Sequence, residues 1–143
     1  MRDTVYDTSF VVYSNGDLAG RRASNVLDRR LAKIEEFLVG SRVAWYNDKL
    51  FGEYQSKIKF SRNDVIEAFL IRLVDAGRRV ARSTLSATNY ARARKARWPG
   101  HDQHVLAAAV VGTRTTVFVT EKALSDCAGS VGREFGVKVV RIA

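Results

Sequence analysis

Hydrophobic and polar positions along this chain alternate between two periods, and the order of the switches outlines a fold. Thr4 to Tyr13 is a run of β-branched and aromatic residues with Asp7 inside it, closed by Ser14-Asn15-Gly16-Asp17, which predicts a buried strand ending in a turn. Val26, Leu27, Leu31, Ile34 and Leu38 then recur at helical spacing, with Gly40 where a left-handed C-terminal cap belongs. Val43 to Tyr46 predicts a brief second strand. Asn47 is suited to cap the next helix, whose apolar stripe is Leu50, Phe51, Tyr54 and Ile58 and whose Glu53 falls at the border of the buried face. Ser61-Arg62-Asn63-Asp64 has the form of a capping box ahead of the stripe Val65, Ile66, Phe69, Leu70, Leu73 and Val74, which ends at Gly77. A basic stretch of weak periodicity follows, punctuated by Pro99-Gly100. Asp102 then opens a helix through Val105, Leu106, Ala108 and Ala109, where small side chains permit close packing on a sheet. Thr115 to Thr120 predicts a third strand, Ser130 to Phe135 a short helix, and Val137 to Ile142 a fourth strand.

Strands separated by helices imply right-handed crossovers and a mainly parallel sheet covered on both faces, an α/β fold. In such sheets the ligand crevice lies beyond the carboxyl ends of the strands. Asp7 falls within the first strand and Glu121 just after the third, while Glu53 and Asp102 sit on helices able to lean over the same edge. An ionised aspartate inside a buried parallel strand is costly unless it is paired, hydrogen-bonded or bound to metal. Helix capping or an arginine partner would account for Asp7; so would a site in which the hydroxyls of Thr8 and Ser9 orient its carboxylate.

A length of 143 residues with 46% apolar composition fits one domain, expected to span 1–143, with a core that needs no disulfide. Cys127 is the only cysteine, which leaves neither an internal disulfide nor a cysteine-based zinc site; it is expected to be a small buried filler, and Trp45 and Phe51 are expected in the core. The longest apolar run, Val105 to Val111, is far short of the roughly 18 residues of a membrane helix, and Asp3 and Asp7 interrupt a signal-peptide pattern, so no membrane association and a cytoplasmic location are expected.

The net charge of +9 is concentrated. Arg78, Arg79, Arg82, Arg92, Arg94, Lys95 and Arg97 occupy one segment without an acidic residue, interleaved with Tyr90 and Trp98, whose rings are flat faces for unpaired bases. The segment suits a polyanionic partner, with a solvated helical surface as the competing interpretation. His101 and His104 flank Asp102 and invite a transition-metal site, but no third nitrogen or sulfur ligand accompanies them, and pairing with phosphate or solvent is the simpler expectation.

Four places carry a family resemblance along nearly the whole chain: Val5-Tyr6-Asp7-Thr8-Ser9-Phe10, Asn47-Asp48-Lys49-Leu50-Phe51-Gly52-Glu53-Tyr54, the stretch from Pro99-Gly100-His101-Asp102 into the alanine-rich run ending at Ala109, and Val117-Phe118-Val119-Thr120-Glu121. In order and spacing they resemble the PIN-domain family of metal-dependent nucleases. The resemblance implies a PIN-like three-layer α/β/α fold with a central sheet of four or five strands. It also implies cleavage of RNA with Mg²⁺ or Mn²⁺, homo-oligomerisation and, as in many members, the role of toxin beside an antitoxin partner. On that basis Asp7 and Asp102 are expected as metal ligands and Glu53 as a ligand or water-positioning base. Thr8, Ser9 and Thr120 are expected behind them or against phosphate, and Glu121 is expected as the fourth acid. The fourth place departs from the family pattern, because Glu121 follows Thr120 directly and Lys122 stands where the acid is expected; Asp126 competes for the role. The alternative is a non-catalytic RNA-binding or scaffold protein of the same fold. A nucleotide-binding domain would want a glycine-rich phosphate loop, which Ser14-Asn15-Gly16-Asp17 does not provide.

Overall fold

Five short strands form the centre of the protein in the computed structural model, which describes residues 2–16 and 25–143. They are β1 (Arg2–Tyr6), β2 (Arg42–Tyr46), β3 (Arg78–Arg79), β4 (Thr116–Val119) and β5 (Lys138–Arg141), in the order β3-β2-β1-β4-β5, and every neighbouring pair is parallel. The flanking helices are α1 (Thr8–Ser14) and α2 (Asn25–Leu38), α3 (Asp48–Lys57) and α4 (Asp64–Ala76), α5 (Ala87–Lys95) and α6 (Gln103–Ala109), and α7 (Lys122–Asp126) and α8 (Ala128–Phe135). A single 3₁₀ turn, Gly100–Asp102, precedes α6. The α/β fold expected from the sequence is present, with five strands where periodicity predicts four. The additional one is β3, two exposed arginines with no apolar alternation to announce them.

The strand order fixes where a ligand can sit. From β1 the chain adds β2 and β3 on one side and later β4 and β5 on the other, so the crossovers leave β1 and β4 in opposite directions. A crevice at the carboxyl ends of β1 and β4 is the geometric result.

The first strand is shorter than its composition predicts. The Asp7 N–H closes the ladder on the Phe118 carbonyl at 3.0 Å, and the β-branched run after it coils into α1, burying Thr8, Phe10, Val11 and Ser14. Intrinsic preferences are worth tenths of a kcal/mol per residue, so packing of this face overrides them. Asp7 is therefore at the strand-to-helix junction rather than within a strand. Of the turn expected after Tyr13, Ser14 is the last residue of α1, and Asp17 lies outside the described residues. The expected capping box is also displaced: Asn63, not Ser61, caps α4 by accepting from the Ile66 N–H. Along α4, Ile66, Phe69 and Leu73 are buried while Val74 stays exposed.

Local signals elsewhere hold. Gly40 takes the left-handed conformation, φ +84°, just after α2. Asn47 caps α3 through the Leu50 N–H at 3.0 Å, and its amide donates to the His104 carbonyl at 2.8 Å, joining α3 to α6 in a fully buried position. Below the carboxyl edge, Tyr6, Phe10 and Phe118 pack with ring centroids 5.5–5.9 Å apart, and Phe69 meets both Tyr6 and Tyr54 edge-on. The Tyr54 hydroxyl donates to the Tyr6 carbonyl, so α3 is fastened to the last residue of β1. Among the described residues no helix is long and apolar enough to cross a membrane.

Asn47→Ala removes a cap, leaves the Leu50 N–H buried without its partner and takes from the His104 carbonyl, which stays bonded within α6, its second donor. A loss of about 2–4 kcal/mol is expected, against about 1 kcal/mol for Ser86→Ala at the exposed cap of α5. Urea unfolding of the two variants beside the parent protein measures both.

Candidate active site

Three acids stand at junctions where a strand or turn gives way to a helix. Asp7 precedes α1, Asp102 precedes α6 and Glu121 precedes α7, each in the N-cap position, and none makes a side-chain capping bond. Capping is thereby removed as the explanation of Asp7, and among the described residues no arginine pairs with it. Asp7 is 3% exposed and its Oδ2 is buried with no hydrogen-bond partner among the described residues; Asp102 is 9% exposed and its Oδ2 is in the same condition. His101 Nε2 approaches that Asp102 oxygen to 3.2 Å, without hydrogen-bond geometry.

These groups share one electrostatic field. Burial, followed by the charges of Asp102, Glu121 and Glu53, pushes the Asp7 carboxyl up to about 7, while the backbone N–H of Thr8 acts in the opposite sense. Burial also raises Asp102; Glu121 and Glu53 add to the rise, and His101 and His104 oppose it. Four carboxylates contributed by four segments far apart in sequence therefore share one crevice, the one that the strand order creates.

Glu53 reaches the crevice from α3. Its Oε1 accepts from the Thr8 hydroxyl at 2.8 Å and lies 2.5 Å from His104 Nε2, so one oxygen takes both contacts and Oε2 makes none among the described residues. Glu121 Oε1 accepts from the Ser9 hydroxyl at 3.0 Å. Thr8 and Ser9 thus hold Glu53 and Glu121 in place, while the Thr120 hydroxyl is buried and unpartnered. Asp126 is exposed, closes α7, and pairs with Lys122 at 3.1 Å; it neither caps α8 nor enters the field of the other acids.

The two histidines separate. His101 is exposed, and one of its nitrogens lies within 4.8 Å of oxygens of both Asp102 and Glu121, which makes this trio the tightest set of potential ligands among the described residues. His104 is 2% exposed and is committed to Glu53, so the phosphate or solvent role expected for it is not available. The expected ligand set of Asp7, Asp102 and Glu53 shares only Asp102 with the trio. Asp7 and Glu53 are coupled to Asp102 through charge. The contribution of His104 was hidden in the sequence, since its partner is 51 positions away.

The basic segment does not act as a unit. Arg79 forms a two-pronged pair with Asp48, both contacts 2.7 Å, and Arg92 and Lys95 share Glu134. Arg78 lies over Trp45, while Arg82, Arg94 and Arg97 are exposed and have no ion pair among the described residues. Trp98 is buried at 5% exposure with its indole N–H on the Asp102 carbonyl at 2.8 Å, so it supports the site turn instead of offering a face to a base. Cys127 is buried, as expected, with its thiol on the Arg97 carbonyl.

A carboxyl raised from 3.8 to about 7 destabilises the folded state above its unfolded pKa: below pH 4 both states are protonated and nothing is lost, and the cost grows until it levels off above pH 7. At 1.36 kcal/mol per unit the full effect is on the order of 4 kcal/mol as an upper bound. In chelator, Asp7→Asn is expected to melt at a higher temperature than the parent protein at pH 8 and at the same temperature at pH 4. A gap independent of pH would remove Asp7 from the crowded field.

Compared with models of known families, with curated proteins and with solved structures, the chain matches none of them.

Proposed function

We propose that the protein is a metal-dependent endoribonuclease of PIN type. The observation that carries this is the pair of buried carboxylate oxygens, Asp7 Oδ2 and Asp102 Oδ2, left without a hydrogen bond inside a crevice where Glu53 and Glu121 add further negative charge. Buried polar atoms are rarely left bare, and repulsive carboxylates are rarely gathered, unless a cation belongs among them. An all-oxygen donor set suits Mg²⁺ or Mn²⁺. Asp7, Asp102 and Glu121 are the residues that would hold it. Such an ion supplies acidification of water and offsets charge on the phosphate oxygens.

The chain's own groups then have separable tasks. Thr8 and His104 fix Glu53 by one oxygen, leaving Oε2 to take the proton of a water that attacks phosphorus as the bond to the leaving oxygen breaks. Ser9 positions Glu121. Unpaired arginines beside the crevice supply the attraction for the RNA backbone. The family resemblance extends the reading to a toxin held in check by an antitoxin partner, acting in the cytoplasm as a homo-oligomer.

Purified protein is expected to shorten transfer RNA or total RNA with Mn²⁺ or Mg²⁺ and to leave it intact in chelator. Asp7→Asn and Asp102→Asn are each expected to reduce the rate by more than the roughly 100-fold that loss of an outer-shell partner costs. Cleavage by Asp7→Asn at the parent rate under metal control sinks the assignment, and RNA binding without cleavage under any metal favours a non-catalytic RNA-binding role. In a Mn²⁺ titration, Glu121→Gln is expected to need more metal, while Asp126→Asn titrates normally; the reverse result moves the fourth acid to Asp126.

A further inference from the structure

A cavity of about 460 Å³ is lined among others by Tyr90, Arg94, Arg97, Trp98, Pro99 and Gln103. Its size falls in the range of roughly 300–1,000 Å³ typical of small-molecule sites. The lining is mixed in a particular way. Arg94 and Arg97 are the two residues of α5 and its C-terminal end that keep their charge free, whereas Arg92 and Lys95, on the same helix, are neutralised by Glu134. Tyr90 is 39% exposed. Gln103 Oε1 accepts from the Leu85 N–H at 2.9 Å, which fixes the amide and leaves its Nε2 hydrogens without a protein acceptor.

Arg97 is held in place by more than its neighbours require. The helix ends in a Schellman arrangement, with the Trp98 N–H on the Ala93 carbonyl and the Arg97 N–H on the Arg94 carbonyl, both at 3.0 Å. The residue this motif puts in the left-handed region is Arg97, φ +64°, where glycine is favoured. The Cys127 thiol on the Arg97 carbonyl secures the same residue. These three contacts hold the Arg97 backbone in a region that side-chain-bearing residues rarely adopt.

The cavity and the acid cluster share a wall. Trp98 lines the cavity and donates to the Asp102 carbonyl, and the 3₁₀ turn Gly100–Asp102 runs from the cavity rim to the candidate metal ligand. We infer that this cavity receives one unpaired nucleotide of single-stranded RNA next to the phosphate held at the acid cluster. The base lies against Tyr90, the Gln103 amide donates to a base-edge acceptor, and Arg94 and Arg97 take the adjoining phosphate. The inference rests on the nuclease reading and adds to it a substrate requirement: a duplex, whose bases are stacked, does not fill the cavity.

Binding of a labelled single-stranded oligouridylate decamer, measured by fluorescence anisotropy in chelator across a salt series, tests this without depending on cleavage. Arg97→Gly, which relieves the backbone, is expected to melt at or above the parent temperature yet bind about tenfold more weakly, with the salt slope shallower by about one. Tyr90→Leu is expected to weaken binding about fivefold with the slope unchanged. Arg79→Gln, whose charge Asp48 already neutralises, is the control and is expected to bind like the parent. Losses below about threefold in both cavity variants, or a loss in Arg79→Gln equal to that of Arg97→Gly, overturn the cavity alone. Absence of any binding by the parent protein also overturns the cavity, while the nuclease reading stands or falls separately on Mn²⁺-dependent cleavage of RNA.

Discussion

Carboxylates that share a desolvated crevice repel one another, and most of the arrangement described above answers to that constraint. Asp7 has the largest burden: it is almost wholly buried, one oxygen is bare, and three other acids contribute to its raised pKa. Nothing among the described residues neutralises it. Under the proposed function, a cation joining these charges would offset the cost of gathering them.

Holding repelling groups in register requires a stiff support. The aromatic cluster of Tyr6, Phe10, Phe69 and Phe118 fills the space beneath the carboxyl edge, and the Tyr54 hydroxyl ties α3 to the end of β1. Asn47 ties the beginning of α3 to α6. Glu53 rides on a helix fixed at both places, which is why its contact with His104 can be short and one-sided. Positions separated by 45 and 51 residues meet at a single carboxylate oxygen.

Charge on the outside follows a different rule. Basic residues that look alike in the sequence are sorted by whether an acid lies within reach: Asp48 takes Arg79, and Glu134 takes Arg92 and Lys95. Exposed pairs contribute little to stability, about 0–1 kcal/mol, but they lower the charge offered to a polyanion. Among the described residues Arg78, Arg82, Arg94 and Arg97 keep theirs, and two of the four line the cavity that Trp98 and Gly100 also line.

The sequence by itself determined what depends on near neighbours. The 3.6-residue stripes of α2, α3 and α4, the cap at Asn47, the left-handed Gly40 and the alternation of strands with helices are all legible because each is fixed by contacts a few residues apart. Asp7 and Glu121 were also visible as charged residues at apolar strand ends, while Glu53 and Asp102, on or before helices, entered through the family resemblance. Only the tertiary structure decided where β1 stops, because the face of α1 from Thr8 to Ser14 gains more from packing than its β-branched residues lose by coiling. It alone made β3 a strand, buried Trp98, gave His104 to Glu53 and His101 to the Asp102–Glu121 trio, and spared Arg97 a partner. Each of those outcomes joins or separates residues distant along the chain, and periodicity carries no information about which distant residues a fold will bring together.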